Sequence, residues 1–98
     1  MITITAYKRL KALELVESQY DFSQHWLGKS KSYMSAIKAA KRRESLDCLT
    51  VLIFKLEAKA REYELLGQLR GGEHVAHYCG ELRTLARDVW SDIRQRCA

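Results

Sequence analysis

The sequence predicts an all-α protein, with a bundle of short helices first and a hairpin of two long helices after it. Three observations point there. Apolar residues recur at intervals of three and four, the period of a helix buried on one side, rather than at the two of a strand. Proline is absent from all 98 residues, so no long periodic stretch is broken from within. No turn pair of the β-hairpin kind separates two alternating runs.

A first helix is predicted over about 5–19, with Thr3 or Thr5 as N-cap and Leu10, Leu13 and Val16 along one stripe. A short second helix over about 22–27 follows Asp21 as its cap and ends at Gly28, where a residue without Cβ accepts positive φ in a tight turn. A third helix over about 31–40 starts after Ser30, with Met34 and Ile37 inward. Three helices this short have no independent cores and must pack on one another. Ser45 then caps a fourth helix that carries Asp47 in its first turn. Its stripe runs through Leu46, Leu49, Leu52, Leu56, Ala60 and Tyr63 to Leu66, which makes it more than 20 residues long. Gly71–Gly72 is the clearest interruption, and a last helix over about 74–96 carries Val75, Leu82, Leu85, Val89 and Ile93. The two long helices are expected to fold back there as an antiparallel pair.

Composition excludes several classes. Hydrophobic residues make up 47% of the chain, which is too apolar for disorder, and three cysteines are an odd number without framework or metal spacing. They argue for a reducing, cytoplasmic setting. No apolar run approaches the roughly 20 residues that span a bilayer, and the MITITAYKRL start lacks the apolar segment of a secretory leader.

Charge is unevenly placed. The chain carries a net +5, and all of it lies in residues 1–45, where nine Lys and Arg face four Asp and Glu; residues 46–98 hold eight of each. Residues 22–43 contain six basic side chains and no acidic one. A one-sided basic stretch beside a neutral half suggests a polyanion-facing surface and a separate structural part.

Within that stretch, a short helix, a glycine turn, a serine-started helix and a basic loop form the outline of a helix-turn-helix. The glycine permits a sharp turn between crossing helices, and apolar residues on both sides fix their angle. Polar and basic residues on the outer face of the second helix are then free to enter a major groove. Lys41, Arg42 and Arg43 lie where such a loop passes a phosphate backbone.

Leu27-Gly28-x-Ser30-x-Ser32-Tyr33-Met34-Ser35-x-Ile37, followed by Arg43-x-Ser45-Leu46-x-x-Leu49-x-x-Leu52, resembles the Cro/phage-repressor (XRE-like, lambda-repressor-like) helix-turn-helix family over residues 5–56. The resemblance implies that Ser30 caps the recognition helix and that Lys31, Ser32, Ser35 and Lys38 form its outward face. It also places Lys29 directly after the turn and Lys41, Arg42 and Arg43 as a phosphate clamp. Tyr33 either meets a phosphate or thymine methyl, or packs against the first helix. Gln24 and His25 are weaker candidates, and Trp26, Leu27, Met34 and Ile37 belong to the core.

The chain departs from that family at Gln24, where a small residue is usual, and at Ser23 and Lys29, where apolar ones are usual. These departures imply a shortened or re-angled second helix.

The resulting expectation is a dimeric, sequence-specific regulator of double-stranded DNA, bacterial or phage, and a repressor. Residues 1–56 would bind DNA and residues 57–98 would form a hairpin that joins two copies, because one short recognition helix reads only about 3–5 base pairs. If six basic groups neutralise phosphates, log K falls against log salt with a slope of about −5. The alternative is an adaptor or antitoxin-like module whose basic face binds an acidic protein. His74, His77 and Cys79 form an H-x-x-H-x-C cluster, but 77 and 79 point apart on a helix, so no metal is expected. No cofactor, catalytic constellation or membrane contact is implied, and no enzyme is expected.

Overall fold

The computed structural model describes the backbone of residues 1–70 and 73–97, and their side chains except at 70, 73 and 74. It is all-helical: α1 (Ile2–Ala12), α2 (Gln19–His25), α3 (Tyr33–Ala39), α4 (Leu46–Arg70) and α5 (Glu73–Cys97), with no strand among the described residues. The chain divides into two compact units, 1–52 and 53–98. The Gly71–Gly72 turn expected from the sequence lies outside the described residues.

In the first unit, α1 begins and ends earlier than its apolar stripe predicts. Met1, and neither threonine, is its N-cap, and Thr3 lies buried inside the first turn. The helix stops at Ala12 although no glycine or proline follows. Glu14 takes the left-handed conformation at φ 60°, and the Glu14 and Leu15 amides donate to Lys11 O (3.0 Å) and Leu10 O (2.9 Å). This closure satisfies two carbonyls that the helix end would otherwise leave open.

The α2 cap is Ser18 rather than Asp21. Ser18 Oγ accepts from the Asp21 amide (3.2 Å), while Asp21 Oδ2 accepts from the Glu17 amide (3.1 Å). Asp21 thus stands at the third position of the helix and reaches back to the amide of the residue before the cap. At the other end Gly28 sits at φ 65°, and the Lys29 amide donates to Ser23 O at 2.9 Å.

The third helix starts two residues later than expected, and Ser30 is not its cap. Ser30-Lys31-Ser32 makes a turn closed by the Tyr33 amide on Ser30 O (3.1 Å), so Ser32 becomes the N-cap, without a side-chain bond. The helix ends as α1 does: Lys41 stands at φ 53°, with its amide on Lys38 O (3.1 Å) and the Arg42 amide on Ile37 O (2.9 Å).

α2 packs on α3, and the Phe22 ring lies 5.7 Å from the Tyr7 ring of α1. Leu10, Phe22, Leu27, Met34, Leu49 and Leu52 are fully buried in this unit. Ser45 caps α4 as expected, with its Oγ accepting from the Cys48 amide at 3.4 Å.

The second unit is an antiparallel pair formed by the rest of α4 and by α5. α5 buries Leu82, Leu85, Ala86 and Val89, spaced to lie on one face, while Ile53, Leu56 and Ala60 are buried on α4. The Tyr63 and Tyr78 rings stack with centroids 5.3 Å apart, and Arg83 Nη2 meets Glu64 Oε2 at 2.8 Å. Nearer the α4 end, a Cβ on Gly67 would come within 3.2 Å of Val75 Cγ1, so the two helices approach closely there.

Candidate nucleic-acid interface

Six of the nine basic residues of the first unit lie on α3 and the segments on either side of it, and Lys8, Arg9 and Lys11 are exposed on α1. Ser30, Lys31 and Ser32 are exposed in the turn before α3; Ser35 and Lys38 are exposed on the helix; Lys41, Arg42 and Arg43 are exposed after it. Ser35 and Lys38 are three residues apart and neighbours on the helix surface, flanking the stripe on which Met34 and Ile37 are buried. Among the described residues, Lys31, Lys38, Lys41 and Arg42 enter no ion pair. Their ammonium and guanidinium groups are therefore available to an external anion.

Lys29 and Tyr33 are placed differently. Lys29 Nζ lies 3.2 Å from Asp47 Oδ2 and 5.7 Å from the centre of the Tyr33 ring. The hydrogen bond to Asp47 raises the lysine above its ordinary value. Asp47 is held below the usual carboxylate value, by the Ser45 hydroxyl first and by Lys29 second. The Tyr33 hydroxyl accepts from the Ser45 amide at 3.3 Å, so this ring joins the start of α3 to the start of α4. Its hydroxyl therefore meets the α4 cap.

Of the weaker candidates, His25 Nδ1 is 2.6 Å from Asp21 Oδ1 on the exposed side of α2, and Gln24 is exposed. Ser23, at a position where the resembling family is apolar, is fully buried, and its hydroxyl has no hydrogen-bond partner among the described residues.

Glu44 escaped the sequence reading. It follows three basic residues and looks like a loop acid, yet it is only 2% exposed. Thr3 donates to its carboxylate from both the backbone amide (3.3 Å) and the hydroxyl. A carboxylate at the first turn of α1 also faces the positive end of that helix. The available signal was its isolation as the single acid between the basic loop and the Ser45 cap.

The Cys48 thiol is fully buried behind this cap, and burial raises it above its ordinary value, against the opposing effects of Tyr33 and Lys29. Among the described residues, no group of three His, Cys, Asp or Glu side chains is arranged to hold a metal; the His74 side chain lies outside them. Among the described residues, no helix is long and apolar enough to cross a membrane.

Fold and site together define an all-helical protein. Its first unit presents exposed basic side chains around a glycine-turned pair of short helices, and its second unit is an antiparallel hairpin. The chain belongs to the family described as "Family of unknown function (DUF6626)", which it matches over residues 4–98. No curated protein and no solved structure matches it.

Proposed function

We propose that this protein is a sequence-specific regulator that binds double-stranded DNA through α3 and its flanking segments, and acts as a dimeric repressor in the cytoplasm. The observation that carries the reading is the set of exposed Lys31, Lys38, Lys41 and Arg42, which enter no ion pair among the described residues, on and around a seven-residue helix that buries Met34 and Ile37. Lys31 and Lys38 meet base edges or phosphates, and Ser32 and Ser35 supplement them. Lys41, Arg42 and Arg43 hold the backbone as the loop passes it. The resemblance to the Cro/phage-repressor helix-turn-helix family supports the same assignment.

Lys29 is committed to Asp47 and is left out of the phosphate count. The four basic groups Lys31, Lys38, Lys41 and Arg42 then give a slope of about −3.6 for log K against log salt.

Dimerisation supplies a second half-site. Leu65, Leu66 and Leu69 are exposed together on one side of α4, with Leu69 at 82%, and this exposed apolar stretch supports the step. Three free cysteines support a reducing compartment.

Fluorescence anisotropy against random-sequence duplex at several salt concentrations, with sizing on the same sample, tests the reading. Strongly salt-dependent binding by a dimer is expected, and the double variant Lys31→Glu/Lys38→Glu should abolish binding while keeping its helical spectrum. Binding that survives both reversals would remove α3 from the interface. No binding at low salt would leave the basic surface to an acidic protein partner.

A further inference from the structure

The second unit contains a basic groove that the DNA-binding reading does not use. Arg83, Arg87, Trp90 and Arg94 follow one another on α5 at intervals of four, three and four, so all four lie along one helix face. With Ala86 and with Glu57 of α4 they line a groove of about 450 Å³. That volume lies within the range of small-ligand sites.

Each lining side chain has a distinct chemical capacity. Trp90 is 46% exposed, although a tryptophan on a helix hairpin normally turns its indole to the core; here Leu82, Leu85 and Val89 fill that side. An indole face open to a groove is a stacking platform for a planar heterocycle. Arg83 is already engaged by Glu64 at 2.8 Å and forms a fixed wall. Arg87 and Arg94 are exposed and, among the described residues, enter no ion pair. They bracket the indole along about 10 Å of helix, since seven residues rise by about 1.5 Å each. Guanidinium groups placed on either side of a ring suit a phosphate attached to that ring through a sugar, because their forked donors match phosphate oxygens in pairs. Glu57 lines the same groove, is exposed and, among the described residues, enters no ion pair, so it offers an acceptor-only carboxylate.

We propose that this groove binds a nucleoside monophosphate, with the base on Trp90, the phosphate on Arg87 and Arg94, and Glu57 accepting hydrogen bonds from the base edge. Charge sets the number of phosphates. Two free arginines against one glutamate leave a single net positive charge, which a monophosphate of about −1.5 to −2 matches better than a triphosphate. The carboxylate sets the base. Guanine offers adjacent ring N–H and amino donors to one carboxylate, whereas adenine places an acceptor beside its amino group. The site lies wholly in the second unit, so it stands whether or not the first unit binds DNA.

The test is titration of the full chain with GMP, AMP and inorganic phosphate, followed by tryptophan fluorescence and calorimetry. GMP should quench Trp90 saturably and bind more tightly than AMP, with inorganic phosphate weakest. Arg87→Gln and Arg94→Gln should each weaken GMP about tenfold, the loss of one charge-assisted contact. Trp90→Leu should abolish the quench and weaken binding in the calorimeter. Circular dichroism verifies that each variant keeps its helices, and Lys31→Glu/Lys38→Glu should leave GMP binding unchanged. Absence of saturable GMP binding at millimolar concentration overturns the proposal. So does equal binding of inorganic phosphate, or a loss that follows the first-unit reversals instead of Arg87 and Arg94. AMP binding as tight as GMP overturns the role given to Glu57.

Discussion

Thr3 and Glu44, 41 positions apart, are joined by two hydrogen bonds: the Thr3 amide and hydroxyl both donate to one buried carboxylate. This contact ties the first turn of α1 to the segment between α3 and α4, just beyond the basic loop. Glu44→Ala would leave both donors buried without a partner, at a cost of about 2–3 kcal/mol. Urea unfolding followed by circular dichroism should show a lower midpoint with an unchanged slope. Thr3→Val, which removes one donor and keeps the shape, should cost less than Glu44→Ala. Equal midpoints for wild type and Glu44→Ala would reduce the contact to a solvated pair.

Three residues of the first unit take left-handed backbone, and only one is glycine. A Cβ at Gly28 would meet Val51 Cγ1 at 3.5 Å, an ordinary contact, so the cost of Gly28→Ala comes from the backbone, about 1–2 kcal/mol. Glu14 bears that cost now. Glu14→Gly should therefore stabilise the protein by up to about 1 kcal/mol, the reverse of Gly28→Ala. Thermal melts of the two variants should move in opposite directions.

The Lys29–Asp47 pair sets a pH window. Asp47, held below its ordinary value of 3.8 by the Ser45 hydroxyl and then by Lys29, adds stability above that pH and loses it as pH falls through its lowered folded value. Lys29, held above 10.5 chiefly by its hydrogen bond to Asp47, contributes fully below 10.5 and loses its part as pH rises through its raised value. Both groups are solvent-screened, so the effect is small and flat at neutral pH. Asp47→Asn should give a shallower fall in the urea midpoint between about pH 5 and 2 than wild type. The same variant frees Lys29 beside the turn and should strengthen duplex binding a few-fold at low salt. Unchanged affinity would place Lys29 away from the DNA.

Thiol reactivity should rank by exposure. Cys97 is exposed, while Cys48 is buried and its thiol is raised by that burial, which keeps it protonated and inaccessible. Iodoacetamide at pH 8, mapped by mass spectrometry, should label Cys97 in the native protein and Cys48 only in urea. Native labelling of Cys48 would mean that the start of α4 opens readily.

Much of the helical plan is local information. The periodicity from Leu46 onward set α4 and α5, and Ser45 marked the α4 start because a serine oxygen before a helix satisfies its first amides wherever the helix packs. Gly28 was legible for a similar reason, since only glycine takes positive φ without strain. The basic surface was legible as charge: an acid-free run of residues has nowhere to go but solvent, apart from side chains that find a distant partner.

Those distant partners are what tertiary structure alone decided. Asp47 of α4 stands beside Lys29, and the Tyr33 hydroxyl meets the Ser45 amide, two pairings that no spacing along the chain announces. Glu44 is buried because Thr3 lies across from it. Charge, period and caps act over a few residues and can be read along the chain. The pairing of two particular side chains depends on where whole helices lie, which no local pattern encodes.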